Sequence, residues 1–528
     1  MKTAIRLFRD TYVDSVRQLA GARAMRQAGG IGWAAAAMAT PANVESLLEQ
    51  GFTEQDVGDT DPGDLFLAVR TDAADDATGG EAGGEAGVTL AAVVEAALRA
   101  GEQAMFAAQE QRDDDSAPPP RSMDEAVRRQ HGSTIAVISV PGEYAALEAH
   151  KALAHGLDVL LFSDNVTVDD EVRLKEHAAR RGRMVMGPGA GTAMLAGTGL
   201  GFANVVRRGP VGVIAAAGTG AQEVMSLLDR WGAGVSHVIG VGGRDLSEEV
   251  GGRMATIALD ALHNDPLTDV ILFVSKPPAR AVAERVLSHA GSTPLVAALI
   301  GHDQTGGHPA GVHLADTLEG GVVRALEVLG MTPPDPTRSH GPSIDSVVAR
   351  LASAQTAVRG LYSGGTLCYE ALVLLSRTLG PVWSNTPIDK RFGLPAPEGA
   401  SVCLDLGEEE FTRGRPHPMI DPESRIEMVR DLAHDSGVAV ILLDVVLGNG
   451  AHADPAGMLA PACAQVRDAG GPQVVAYVLG TERDPQGYAD QVTTLVGAGC
   501  LVTETAARAA LTAAAIAARD PRIATAAL

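Results

Sequence analysis

PVGVIAAAGTGAQEVMSLLDRWG, residues 210–232, opens as an apolar run of strand length, breaks at Gly-Thr-Gly, and continues with apolar residues at helical spacing as far as Gly232. A buried strand handed to a helix through glycine is half of a βαβ unit and points to a parallel sheet. The same sentence recurs at 360–380, GLYSGGTLCYEALVLLSRTLG. Both copies place a glutamate five residues after the glycine of Gly-Thr: Glu223 after Gly218, and Glu370 after Gly365. A spacing of about 150 residues is too long for a solenoid repeat and describes two related domains.

Working outward, the first copy is followed by the strand-like runs VSHVIGVGGRD, DVILFVSKPP and PLVAALIGHD, each ending in Gly, Pro or charge. The second is followed by SVCLDLGEEEF, VAVILLDVVLG, QVVAYVLGTERD and LVTET, with helical patterns between them. Upstream, TIAVISVP, DVLLFSD and RMVMGPG alternate with two helices closed by Gly156 and Gly182. The first 75 residues read β-α-β-α-β, followed by the acidic, glycine-rich loop 75–88 and a helix over 89–110. QRDDDSAPPPRS (111–122) and MTPPDPTRSHGPS (331–343) read as linkers. The expected fold is α/β and multidomain: an N-terminal α/β domain over 1–110, a linker over 111–130, a Rossmann-like domain over 131–207, a flavodoxin-like domain over 208–330, a linker over 331–344, and a second flavodoxin-like domain over 345–528. Open sheets of this kind bind ligands at the carboxyl ends of their strands.

Composition narrows the partners. Apolar residues make up 46% and aromatics only 3%, so Ala, Val, Leu and Ile must build the cores. A formal net charge of −23 repels nucleic acid and anionic lipid at long range, so neither is an expected partner. The four cysteines form no CxxC pair, which leaves metal and redox motifs unsupported and fits a reducing cytoplasm. The start, MKTAIRLFRD, lacks a signal-peptide core, and no apolar run reaches the ~20 residues of a membrane span.

The Gly-Thr corners carry the expected chemistry. Glycine lets the backbone turn tightly beside a ligand, and the first N–H groups of the following helix lack internal acceptors. With the helix dipole they favour an anion. Gly218, Thr219 and Gly220 in one copy, and Gly364, Gly365 and Thr366 in the other, are therefore expected to bind phosphate or carboxylate. Glu223 and Glu370 fall within the first turns. Each is either a helix-end carboxylate or, as the recurrence favours, one of a pair of site residues. FTRGRPHPMIDPESR (411–425) concentrates Arg413, Arg415 and His417 on a proline-stiffened loop, and Arg244 closes the GVGGRD turn. Guanidinium forks match carboxylate and phosphate.

Residues 134–300, through VISVPGEYAALEAHKALAHG, GRMVMGPG, GVIAAAGTGAQE and VIGVGGRD, resemble the α subunit of succinyl-CoA synthetase. Essentially the whole chain resembles the FdrA family, through ATPANVESLLEQG, GLYSGGTL, GRPHPMIDP, LLDVVLGNGAHADPA and LGTERDP. The resemblance implies a CoA-binding-type Rossmann-like domain and two domains of succinyl-CoA-synthetase type. It also implies an acyl-CoA-synthetase-like protein, most concretely a subunit of oxamate carbamoyltransferase. That enzyme acts with two further subunits in allantoin breakdown, on carbamoyl phosphate and oxamate. On this reading Glu223, Glu370, Arg415 and His417 are catalytic, while Arg244 and Arg413 hold phosphate or substrate carboxylate. Two alternatives stand beside it: a nucleotide-forming acyl-CoA synthetase, which alone would call for CoA, and a non-catalytic scaffold of a heteromeric complex. The synthetase family's Gly-His-Ala-Gly string is absent. IGHDQTGGHPAGVH offers His302, His308 and His313 instead, GPGAG replaces Gly-Pro-Asn-Cys-Pro, and no GxxxxGK[ST] string occurs.

Overall fold

The computed structural model describes residues 2–528 apart from 12, 14, 72–89, 111–119, 302–308, 310 and 413–415. The loop expected at 75–88, residues 111–119 of the first linker, His302, His308, Arg413 and Arg415 therefore lie outside the described residues. The chain divides into two compact units, 1–119 with 409–416, and 120–408 with 417–528.

In the first unit, strands Thr3–Phe8, Leu65–Thr71 and Ile31–Met38 form an antiparallel sheet in that spatial order. The central strand is apolar without alternation because both its faces are covered. Leu65, Leu67 and Val69 pack with Met25, Val94, Leu98 and Met105, while Phe66 and Ala68 pack with Leu47, Phe52 and Val57. Helices Ser15–Gln27 and Leu90–Glu110 meet at two glycines. A Cβ on Gly21 would lie 2.7 Å from Cγ of Met105, and one on Gly101 2.6 Å from Cγ of Met25.

Among the described residues the second unit holds three sheets. Ile135–Ile138, Asp158–Leu161 and Val185–Met186 run parallel, alternating along the chain with helices Gly142–Ala154 and Val168–Arg180. The other two sheets repeat one topology. Counted from the strand that precedes each Gly-Thr corner, the parallel strands of both lie in the order 5-4-3-1-2. In one these are Arg208–Ala216, Val235–Gly240, Val270–Ser275, Leu295–Leu299 and Val312–Ala315. In the other they are Ala357–Tyr362, Val402–Asp405, Val438–Val446, Gln473–Leu479 and Leu501–Thr503. This is the flavodoxin-like order, whose switch point lies at the first strand. Both Gly-Thr corners leave from that strand.

Each sheet carries an addition at one edge. The hairpin Thr192–Leu195 and Thr198–Gly201 pairs antiparallel with Val235–Gly240, turning through Ala196 and Gly197 with positive φ. Ser339–His340, inside the stretch expected as a linker, pairs with Leu501–Thr503, and Met123–Arg129, inside the other, is helical. Helices Gly218–Arg230, Leu318–Val328, Gly365–Leu379 and Ala506–Ala518 share one hydrophobic core fed by both repeated sheets. Every residue from Thr219 to Asp229, and from Ala506 to Ala517, is buried. No described helix is long and apolar enough to cross a membrane.

Candidate functional site

The two Gly-Thr corners face each other. The Thr366 N–H donates to Oγ1 of Thr219 at 3.2 Å. A Cβ on Gly220 would lie 2.9 Å from the Thr366 methyl, and one on Gly364 2.8 Å from the Thr219 methyl. Each corner thus needs its glycine because the other corner's threonine occupies that space. Neither helix has a side-chain cap: Ala217 and Gly364 stand at the N-cap positions. The Gly364 N–H is taken by Oδ2 of Asp444 at 2.8 Å, and the Ser363 N–H and hydroxyl by its Oδ1 at 2.8 and 3.0 Å. Asp444 is buried against Arg425, 3.1 Å away. Of the six corner residues expected to bind an anion, Gly364 and Thr366 therefore have committed N–H groups. Those of Gly218, Thr219, Gly220 and Gly365 find no acceptor among the described residues, nor does that of Leu367. Gly218 is exposed, so the first corner opens to solvent.

Three further side chains gather there. Lys276 follows strand Val270–Ser275 and lies 5.8 Å from the Tyr369 ring centroid; its ammonium makes no ion pair among the described residues. Asp405 ends strand Val402–Asp405 and accepts from the Gly407 N–H at 3.1 Å. Its Oδ2 lies 2.3 Å from where a Cβ on Gly365 would stand. Burial pushes its carboxyl up to about 6, against the pull of Lys276. His417 reaches the same place: a Cβ on Gly407 would lie 2.8 Å from its Nε2 and 3.2 Å from both Oδ1 of Asp405 and the Ser363 carbonyl. The Met419 N–H donates to Nδ1 of His417 at 3.2 Å, so the neutral ring carries its proton on Nε2. Burial lowers His417 to about 4, which keeps it neutral at pH 7.

Glu223 and Glu370 are buried and exchanged between the modules. Glu223 accepts from the Tyr477 hydroxyl at 2.5 Å and from the Ala506 N–H at 3.3 Å. Glu370 accepts from the Leu318 N–H at 2.7 Å. Each module's glutamate thus meets the first residue of a helix in the other. Burial raises Glu223 to about 7 and Glu370 to about 8. Arg244 is held elsewhere, by Oε2 of Glu171 at 2.9 Å and the Val166 carbonyl at 2.7 Å. Sequence reasoning missed Lys276 and Asp405. Their signal was the charge that ends each strand, in FVSKPP and VCLDLG.

Residues 361–516 match the family model described as CoA-ligase, and residues 1–119 that described as AllF, heavy metal-associated domain. The uncharacterized protein YahF of Escherichia coli strain K12 is 35% identical over 514 residues, 95% of this chain and 96% of that protein. The chain belongs to the YahF family. The α subunit of the ADP-forming succinate–CoA ligase of Methanothermobacter thermautotrophicus is 27% identical over 202 residues, 37% of the YahF-family chain and 67% of the subunit. Among solved structures, the apo form of a dinucleotide-forming acetyl-coenzyme A synthetase 1 from Ca. Korarchaeum cryptofilum matches at 16% identity with a TM-score of 0.27. That match covers 76% of this chain and 86% of the other. The sheets, the family-model match and the homology to the succinate–CoA ligase α subunit make the chain an α/β protein with a CoA-ligase-type domain.

Residues 1–119 of the YahF-family chain contain neither Cys nor His. The buried Asp64 is filled by Arg9 at 2.6 Å and by the N–H groups of Asp10 and Asp61, each at 3.0 Å. That donor set does not fit a soft heavy-metal ion. The Rossmann-like helix Gly142–Ala154 begins with Glu143 in its first turn, and a Cβ on Gly142 would lie 2.3 Å from the Asp164 carbonyl oxygen. A carboxylate at a crowded helix start does not fit the pyrophosphate of CoA.

Proposed function

We propose that this chain is the acyl-phosphate-handling subunit of an oxamate carbamoyltransferase, working in the cytoplasm with two further subunits. The observation that carries the reading is the meeting of two helix N-termini at paired switch points, with free N–H groups and the unpaired Lys276 beside them. Gly218, Thr219, Gly220 and Gly365 hold the phosphate of carbamoyl phosphate, and Lys276 supplies the counter-charge. The amide nitrogen of oxamate attacks the carbamoyl carbon; the new C–N bond forms as the C–O bond to phosphate breaks, and inorganic phosphate leaves. Asp405, as carboxylate, accepts the amide proton, and the His417 Nε2–H donates to the carbamoyl oxygen as charge builds on it. Glu223 and Glu370 act as positioning residues, because both are buried and pinned to the opposite module. The test is the chain co-purified with its neighbouring gene products and supplied with carbamoyl phosphate and oxamate. Phosphate and oxalurate should appear in equal amounts. A complex that turns over neither compound removes this reading.

The match of residues 361–516 to the CoA-ligase model favours a second reading, a nucleotide-forming acyl-CoA synthetase that would use CoA. It requires a phosphorylated histidine, so incubation with γ-labelled ATP followed by an acid-lability assay separates the two.

A further inference from the structure

A cavity of about 410 Å³ lies away from the twin corners, lined by both the three-stranded sheet and the seven-stranded sheet of the second unit. It sits toward the amino ends of the strands: Asp158 begins Asp158–Leu161, and Arg183 and Met184 precede Val185–Met186. The corners leave from carboxyl ends. The volume falls within the ~300–1,000 Å³ of small-molecule sites, and the wall is chiefly apolar, with Met186, Leu195, Ile239 and Ile257.

Its polar groups can be accounted for one by one. Nδ1 of His237 accepts from the Ala196 N–H at 3.2 Å, and its Nε2 faces Oδ2 of Asp265 at 3.5 Å. Asp265 also accepts from the Thr268 hydroxyl at 2.6 Å and the Leu267 N–H at 3.3 Å. Asp158 uses Oδ1 for the Met184 N–H at 2.9 Å. Two groups remain without a partner among the described residues: the Arg183 guanidinium and Oδ2 of Asp158. A dianion such as phosphate would meet both Asp158 and Asp265, so phosphate-bearing ligands are disfavoured. A molecule with one carboxylate, one ammonium and an apolar body consumes every free group, balances the charge and fills the wall.

We propose that this cavity binds a free α-amino acid with an apolar side chain, its carboxylate on Arg183 and its ammonium on Asp158. The site is independent of the transferase reading and rests on no part of it. The test is calorimetric titration of the full chain with L-leucine, L-methionine and L-phenylalanine. At least one should bind saturably. For that ligand, the analogue lacking the ammonium and the analogue lacking the carboxylate (for leucine, 4-methylpentanoate and 3-methylbutylamine) should each bind at least about tenfold more weakly. Arg183→Met and Asp158→Asn should each weaken binding by a similar factor. Ile257→Trp should abolish it by filling the space, with the circular dichroism spectrum unchanged. The proposal is overturned if none of the three amino acids gives saturable heat up to millimolar concentration, if the analogue lacking the ammonium binds as well as its parent, or if Arg183→Met leaves binding unchanged.

Discussion

Gly220 and Gly364 do the same work from opposite sides, each leaving room for the other module's threonine methyl. Gly220→Ala should therefore cost about 1–3 kcal/mol of stability, as overpacking does in a close-packed site. Thr366→Ser keeps its N–H bond to Thr219 but removes the methyl, so the double variant should recover part of the loss. Urea midpoints of the two single variants and the double variant measure the coupling, and strictly additive losses would deny the contact. Lys276 is the second residue-scale test. Half-buried and without an ion pair, it is removable without breaking the core. On the carbamoyltransferase reading proposed above, Lys276→Ala should lower kcat/KM for carbamoyl phosphate by about a hundredfold, the scale seen when a preorganised charge partner is lost, with circular dichroism unaltered. Sequence reading reached the glycines because Gly-Thr recurs at a fixed offset. It passed over Lys276 because a single charge after a strand looks like any strand end; only the fold brings strand end 276 to the helix that carries Tyr369.

The elements explain why a glutamate sits five residues into each corner helix. That offset carries Glu223 to the start of helix Ala506–Ala518, and Glu370 to the start of Leu318–Val328. Each helix start has a threonine N-cap, Thr505 and Thr317. The repeat was legible as a motif, but its partners were not, since they lie 283 and 52 residues away along the chain. The sequence also offered the helix-end and the paired-site readings together, and only the exchange between modules shows what the carboxylates touch. A pH dependence follows. Both carboxyls are raised in the folded chain above the ordinary 4.5, so folding favours their protonated forms. Their contribution is fully present below about 4.5 and is lost as pH rises through about 7 for Glu223 and about 8 for Glu370. Oε2 of Glu370 has no partner and is buried, which is where an un-ionised carboxyl carries its proton at least cost. Urea midpoints taken from pH 5 to 8.5 should fall steadily for the wild type and less steeply for Glu370→Gln, whose amide oxygen still accepts from Leu318. Parallel slopes for the two proteins would show that Glu370 does not titrate in this window.

At the scale of the molecule, the two flavodoxin-like modules are one folding unit although the sequence presents them as separable repeats. Most strands and helices were readable from apolar runs and Gly closures, but strand Val312–Ala315 was not, because it follows directly on the Gly-, Pro- and His-rich stretch IGHDQTGGHPAGVH. What periodicity concealed was that helices Gly218–Arg230 and Ala506–Ala518 are buried on all sides. In Gly218–Arg230 even Gln222, Glu223, Ser226 and Asp229 are buried, so residues that read as a solvent face lie inside the shared core. The shared core closes over a charged link as well: Arg508 grips Glu319 with Nε at 3.0 and 3.1 Å and Nη2 at 2.5 Å, and both residues are buried. Separating the modules would break this ion pair and expose the apolar faces of all four helices to water. Residues 120–330 and 331–528 expressed as separate chains should therefore each aggregate or purify with poor tertiary order. Co-expressed, they should co-purify in equal amounts, because cutting at 330–331 falls between helix Leu318–Val328 and strand Ser339–His340 and breaks no element. Sedimentation and near-ultraviolet circular dichroism read both outcomes. A well-ordered, monomeric 120–330 fragment would mean that its corner helix tolerates solvent, and the paired corners would then be a docking contact between independent domains.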